Sequence, residues 1–332
     1  MRKLLATTLL LSLILALAAC GGNPSTATNA PTKAPATTTE SPSEAPTDTT
    51  ESPVEVPSIT EDREGNPITL PDKIEKIMCF GPSNTEVIVA LGEAGKLIAI
   101  DTYSVDIEGI DTSLPQFSMM TPDAEQILSL DPDVIIVTGM SKAMGDDPYK
   151  PISDAGICVV YMPSSNSIEG IKEDIRYLST LLGQKEKGEE LVAGMETEID
   201  AIRAIGETIT EKKTVYVEIA AAPNMYSFGK GVFLNEMIEL IGAENILADQ
   251  DAWISVADEQ VVNLNPDVIL TTVNYIDDPV GEIMSRAGWD AVTAVANEAV
   301  YSINTAASNR PSHNIVKALH EMAEAIYPDL YN

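Results

Sequence analysis

Few side chains in this chain are suited to chemistry, and their spacing limits what they could do. The two histidines, His313 and His320, stand two helical turns apart in the apolar-periodic run "HNIVKALHEMAEAI", which predicts one helix with both rings on a shared face. Zinc or manganese capture needs several histidines gathered with carboxylates, and two on one helix do not supply that set. Cys79 and Cys158 lie inside the apolar strand-like runs "KIMCFG" and "GICVVYM". They read as buried free thiols, with a disulfide as the alternative. "GKG" at 229–231 lacks the first glycine and the Ser/Thr of a P-loop, and no G-x-S-x-G elbow or H-E-x-x-H helix occurs. A net charge of −31 excludes a nucleic-acid role, because phosphate contacts need clustered Lys and Arg. What remains is binding chemistry. Lys230 and Arg310 could pair with acidic ligand groups. Ser83 and Glu86 form a capping-box pattern, and the helix N-terminus it opens suits a carboxylate or phosphate.

The elements that must position these groups come in duplicate. "AEQILSLDPDVII" at 124–136 returns as "DEQVVNLNPDVIL" at 258–270, with Glu-Gln in the same place at the head. Thr121 falls on Ser255, each suited to cap the helix that follows. Pro132-Asp133 falls on Pro266-Asp267, ending that helix before an uninterrupted apolar run, the mark of a parallel strand covered on both faces. Upstream, "EVIVALGEAGKLIAID" (86–101) matches "EMIELIGAENILAD" (236–249), a helix closed by Gly before further apolar residues. Each half therefore reads strand–helix–strand–helix–strand. The fold class is α/β, two Rossmann-like lobes with mostly parallel sheets. Residues 167–213 carry apolar residues at helical spacing and predict a long spine helix joining the lobes, with a ligand cleft between them.

The ends set the location. Residues 1–20 have a basic start and an apolar run too short for a comfortable membrane span, as in a secretory signal. "LAAC" ending at Cys20 resembles the lipobox of bacterial lipoproteins, so Cys20 is expected to carry the lipid and to be the membrane attachment. Residues 21–57 are Pro/Thr/Ser-rich and predict an extended tether of the kind found on Gram-positive surface proteins. The folded part then divides into an N-terminal lobe (58–183), a spine helix (184–212) and a C-terminal lobe (213–332).

Taken in order, "GPSNTEVIVALG", "IDTYS" and "PDAEQILSLDPDVII" resemble the substrate-binding proteins of ABC importers that carry iron–siderophore complexes, haem and cobalamin. The resemblance implies a non-enzymatic, monomeric lipoprotein with no intrinsic cofactor. Its ligand would be a metal chelate, ferric siderophore first, cobalamin or haem next. It also implies that Glu125 and Glu259 meet arginines of the permease, one from each lobe. An acid in a helix's first turn favours the helix dipole without any partner, so the repetition is what speaks for docking. By the same resemblance Tyr103 and Trp253 line the pocket from opposite lobes, and Met119 takes the place of a second aromatic. Met119, Met120, Met140 and Met144 could pack on a porphyrin or offer sulfur to iron. His313, beside "NRPS", is a candidate haem ligand. Asn84, Tyr226 and Tyr275 complete the candidate ligand contacts. The alternative is a metallocluster enzyme on the same bilobal plan.

Overall fold

The computed structural model describes residues 59–142 and 145–331. The leader, Cys20, the tether and Met144 lie outside the described residues. The N-terminal lobe runs β1 (Ile77–Phe80), α1 (Pro82–Ala90), β2 (Leu97–Asp101), β3 (Gln116–Phe117), α2 (Ala124–Ser129), β4 (Val134–Thr138), α3 (Lys150–Asp154) and β5 (Cys158–Met162). Two helices, α4 (Ile168–Leu181) and α5 (Lys185–Gly206), lead into the second lobe. That lobe runs β6 (Thr214–Glu218), β7 (Tyr226–Phe228), α6 (Phe233–Leu240), β8 (Glu244–Asn245), β9 (Trp253–Ser255), α7 (Asp258–Leu264), β10 (Val268–Thr271), α8 (Pro279–Met284), α9 (Thr293–Ala296), β11 (Val300–Ser302), α10 (Thr305–Asn309) and α11 (Ile315–Ile326). No helix of the described residues is long and apolar enough to cross a membrane.

Both lobes are built on parallel sheets, ordered β3-β2-β1-β4-β5 and β11-β10-β6-β8. The sequence repeat is a hydrogen-bonding repeat. Asp133 accepts the amides of Glu75 and Lys76 at 2.7 and 2.8 Å, tying the start of β4 to that of β1. Asp267 accepts the Thr214 amide and hydroxyl, each at 2.8 Å, tying β10 to β6 in the same way. The residues closing α2 and α7, Asp131 and Asn265, take the left-handed conformation with φ of 51° and 49°, which short polar side chains tolerate best.

Side chains diverge where the backbones agree. Ile77 pairs with Val134 and Val215 with Val268, so Phe80 and Glu218 hold equivalent places at the ends of β1 and β6. Phe80 stacks on Tyr149 (5.8 Å between ring centres) and tilts against Phe117 in an apolar cluster. Glu218 instead meets Arg286 at 2.6 and 2.8 Å. The Arg286 guanidinium also bonds Glu282 and lies 4.7 Å over the Trp289 ring.

Three expectations change. The Thr121 and Ser255 caps do not form: α2 is capped by Asp123, whose carboxylate accepts the Gln126 amide, and α7 starts at Ala257 with no side-chain cap. The 167–213 run is not one helix but a hairpin of two, α4 and α5, broken at Gly183 (φ 68°) and laced by Lys172–Glu196 and Arg176–Glu189, with α5 inside the expected spine of 184–212. Its longer arm, α5, spans 22 residues, about 33 Å. At its far end the backbones of Gly206 and Gly242 meet so closely that a Cβ on Gly206 would stand 2.1 Å from the Leu240 carbonyl oxygen. Finally, the histidines do not share a helix. His313 precedes α11, while His320 sits on it and pairs with Glu198 of α5 at 2.8 Å.

Candidate functional site

In a parallel α/β sheet the loops beyond the strands' carboxyl ends are free to carry ligand-binding side chains. Here those loops hold the large apolar side chains most open to solvent: Tyr103 (66% exposed) after β2, Met140 (55%) after β4 and Tyr275 (65%) after β10. The Tyr103 loop is fixed from below. Asp101, fully buried at the end of β2, accepts the amides of Gly81 at 3.1 Å and Tyr103 at 2.8 Å, and the Ser104 hydroxyl. Burial raises the Asp101 pKa, and those three bonds oppose the rise. Tyr275 is fixed through its phenol oxygen, which accepts the Ala221 amide at 2.8 Å and leaves the ring open. Tyr226 lies partly exposed on β7 of the β7–β9 ribbon.

The lobes meet at Arg310, beyond α10. Its Nη1 donates to Glu86 of α1 at 3.0 Å. Its Nη2 donates to the Tyr103 carbonyl at 3.0 Å and to both Asp106 oxygens, at 2.7 and 3.0 Å. Burial works against this charge, but Asp106 and Glu86 outweigh it and raise the Arg310 pKa. Glu86 also accepts the Ser312 hydroxyl and, at 2.9 Å, the Asn314 amide. It is thus a buried carboxylate of one lobe held by three donors of the other. The segment beyond α10 of one lobe therefore meets α1 and the β2 loop of the other. A cavity of about 330 Å³ opens beside this contact, lined among others by Glu86, Asp106, Glu108, Arg310, His313 and Lys317. The His313 ring sits there with its Nδ1 buried and without a partner among the described residues. Burial lowers its pKa, partly offset by Glu86.

Several expected ligand contacts are used otherwise. Trp253 is half-buried on β9, edge-on to Phe228 at 5.8 Å, with one side of its ring packed on the core. Met119 is buried in the N-lobe cluster, its carbonyl accepting the Tyr149 hydroxyl, and Met120 packs against the same cluster. Their sulfurs fill space. Ser83 forms no capping box, because α1 begins at Gly81-Pro82 and Glu86 points to the other lobe; Asn84 is buried. Lys230 faces Asp251 at 3.6 Å in an exposed pair. Arg310 is committed to carboxylates of the protein itself. Sequence reasoning missed Asp101, Asp106, Ser312 and Asn314. The two acids of "DTYSVD" are a signal, but only Asp101 finds its partners nearby; Asp106 pairs with Arg310, 204 residues away. Cys79 is buried and Cys158 partly so, both free, with the Cys158 thiol pushed up to about 11 by burial.

Glu125 and Glu259 occupy the same register, one residue inside the first position of α2 and α7, and both are exposed. Each helix ends beside the strand starts tied by Asp133 or Asp267, so each begins near the carboxyl edge of its sheet.

A family model described as periplasmic binding protein matches residues 77–307. A Bacillus subtilis protein, named an uncharacterized ABC transporter substrate-binding lipoprotein, is 30% identical over 82% of this chain and 86% of its own length. A cobalamin-binding protein of Halobacterium salinarum is 25% identical over 81% of this chain and 74% of its own. Among solved structures, a possible iron-binding, periplasmic solute-binding protein of Staphylococcus epidermidis superposes with a TM-score of 0.69. It is 26% identical and covers 77% of this chain and all of that one.

Proposed function

The chain belongs to the periplasmic binding protein family, and from that premise we propose that it captures a metal chelate outside the cytoplasm and passes it to an ABC permease. The observation that carries this reading is the pair of open tyrosine faces, Tyr103 and Tyr275, one on each lobe in the loops that follow β2 and β10. Rigid aromatic faces hold a broad, bulky ligand through area and stacking. A bare ion would need converging donors instead, and the histidines do not converge: His320 is engaged by Glu198, and His313 turns its Nδ1 inward. Relatives named for cobalamin favour a corrinoid as cargo, and the iron-binding neighbour supports a ferric chelate as the second reading. Anchoring through a lipidated Cys20 is part of the proposal. So is docking through Glu125 and Glu259, since Arg–carboxylate pairs give register and on-rate more than affinity.

Titration of the purified protein with cyanocobalamin, haemin and a ferric hydroxamate, followed by visible absorption, tests the cargo. One-to-one binding of cyanocobalamin is the expected result. Binding of only the ferric hydroxamate selects the second reading, and no binding by any of the three overturns both. Replacing Glu125 and Glu259 together by Ala should leave that titration unchanged and abolish uptake by cells; undiminished uptake removes the docking role.

A further inference from the structure

Arg310 looks, from its cationic head beside the open Tyr103, like a group for an acidic cargo. Its geometry says otherwise. The guanidinium is largely buried (side chain 16% exposed), and it holds one acid of α1, one acid of the β2 loop and the main-chain carbonyl of Tyr103 itself. Asp101 fixes the amide of that same residue from within the N-terminal lobe. The Tyr103 backbone is therefore held at its amide by its own lobe and at its carbonyl by the other. A planar fork can serve two carboxylates and a carbonyl in fixed directions, which a lysine ammonium cannot reproduce.

We propose that Arg310 is a positioning residue for the binding face: it reaches across the lobes to set the Tyr103 loop and does not contact cargo. This rests on the reading that Tyr103 faces the ligand. The two roles predict opposite signs for the acids. If Arg310 were a contact for an acidic cargo, Glu86→Gln and Asp106→Asn would free its charge and leave capture equal or tighter. If it positions Tyr103, both weaken capture in the same direction as Arg310→Gln.

The experiment measures the Kd for cyanocobalamin of Arg310→Gln, Arg310→Lys, Glu86→Gln and Asp106→Asn, alongside amide hydrogen exchange of residues 101–107 without ligand. The expected loss for Arg310→Gln is about tenfold or more, with Glu86→Gln close behind, because each leaves a buried partner unmatched. Asp106→Asn should lose least, since its carboxylate is exposed. Arg310→Lys should fail to restore binding. Exchange at 101–107 should quicken in Arg310→Gln and Glu86→Gln by more than it does in strands remote from the seam, and that excess separates a local positioning role from general loss of stability. Tighter capture by Glu86→Gln, or unchanged exchange at 101–107 in both variants, overturns the proposal. If Arg310→Gln does not fold, the near-isosteric Glu86→Gln still decides it. If the parent protein binds no chelate, the cargo reading fails, and the ligand-free exchange alone decides the role of Arg310.

Discussion

The two lobes solve one backbone problem with two kinds of side chain. At the end of the central strand the N-terminal lobe places Phe80 against Tyr149 and Phe117, an apolar plug. At the equivalent place the C-terminal lobe has Glu218 clasped by Arg286, beside Glu282 and Trp289. What the halves keep in common is the hydrogen-bonded staple from the Pro-Asp turn to the neighbouring strand. The duplication thus preserves the joints of the frame and leaves the filling free to change. Dispersion and ion pairing are interchangeable inside the same frame, but they fail differently when damaged.

The largest effect should come from the ionic side. Arg286→Ala strands Glu218 without its counter-charge and should cost about 4 kcal/mol in urea unfolding. Replacing Glu218 and Arg286 together by Leu and Met should recover most of that loss; no recovery would mean the pair contributes more than its own compensation. Phe80→Ala should cost about 3 kcal/mol, and no single partner change should restore it, because a void has no charge to match. A loss below about 1 kcal/mol would show that Tyr149 collapses into the space.

The helix starts offer a finer contrast. Asp123 caps α2, whereas the equivalent place in α7 is Ala257, and Asp258, one residue on, caps nothing. Asp123→Ala should therefore cost about 1 kcal/mol and Asp258→Ala only a few tenths, read from chemical denaturation. Equal losses would mean that both acids act through the helix dipole.

The smallest effect belongs to the seam, where His313 lies among Glu86, Asp106, Glu108, Arg310 and Lys317. Its folded pKa is below its unfolded value of about 6.5, so the unfolded chain binds the proton first. Stability should fall as the pH drops from about 6.5 towards that lower folded value, and His313→Gln should flatten the fall. An identical slope in the variant would assign the pH response to other groups.

Much of the frame was legible in the sequence because it rests on local, repeated signals. Uninterrupted apolar runs gave the parallel strands, the Pro-Asp turn marked each helix end, and Gly92 and Gly242, both at positive φ, closed the helices before them. Glu125 and Glu259 fell in one register for the same reason. The site was less legible. The use of Arg310 depends on Glu86 and Asp106 from the other lobe, and no local pattern encodes that approach. Met119 reads as a cleft residue from its distance to a glutamate, but whether a thioether faces solvent is decided by packing, here in the cluster with Tyr149. Ser83 resembled a cap because Glu86 stood three residues on, yet Glu86 had a stronger set of donors across the seam. Gly183 marks the place where the spine begins, but the apolar period on either side of it does not show that α4 folds back along α5.

The backbone contact between Gly206 and Gly242 has a practical consequence for anyone turning this protein into an optical sensor. A fluorophore pair with one dye on the second arm of the hairpin and one on α6 would sit on a single welded block and give a constant signal. Dyes placed either side of Arg310 would straddle the seam, where any change of spacing has to be taken up.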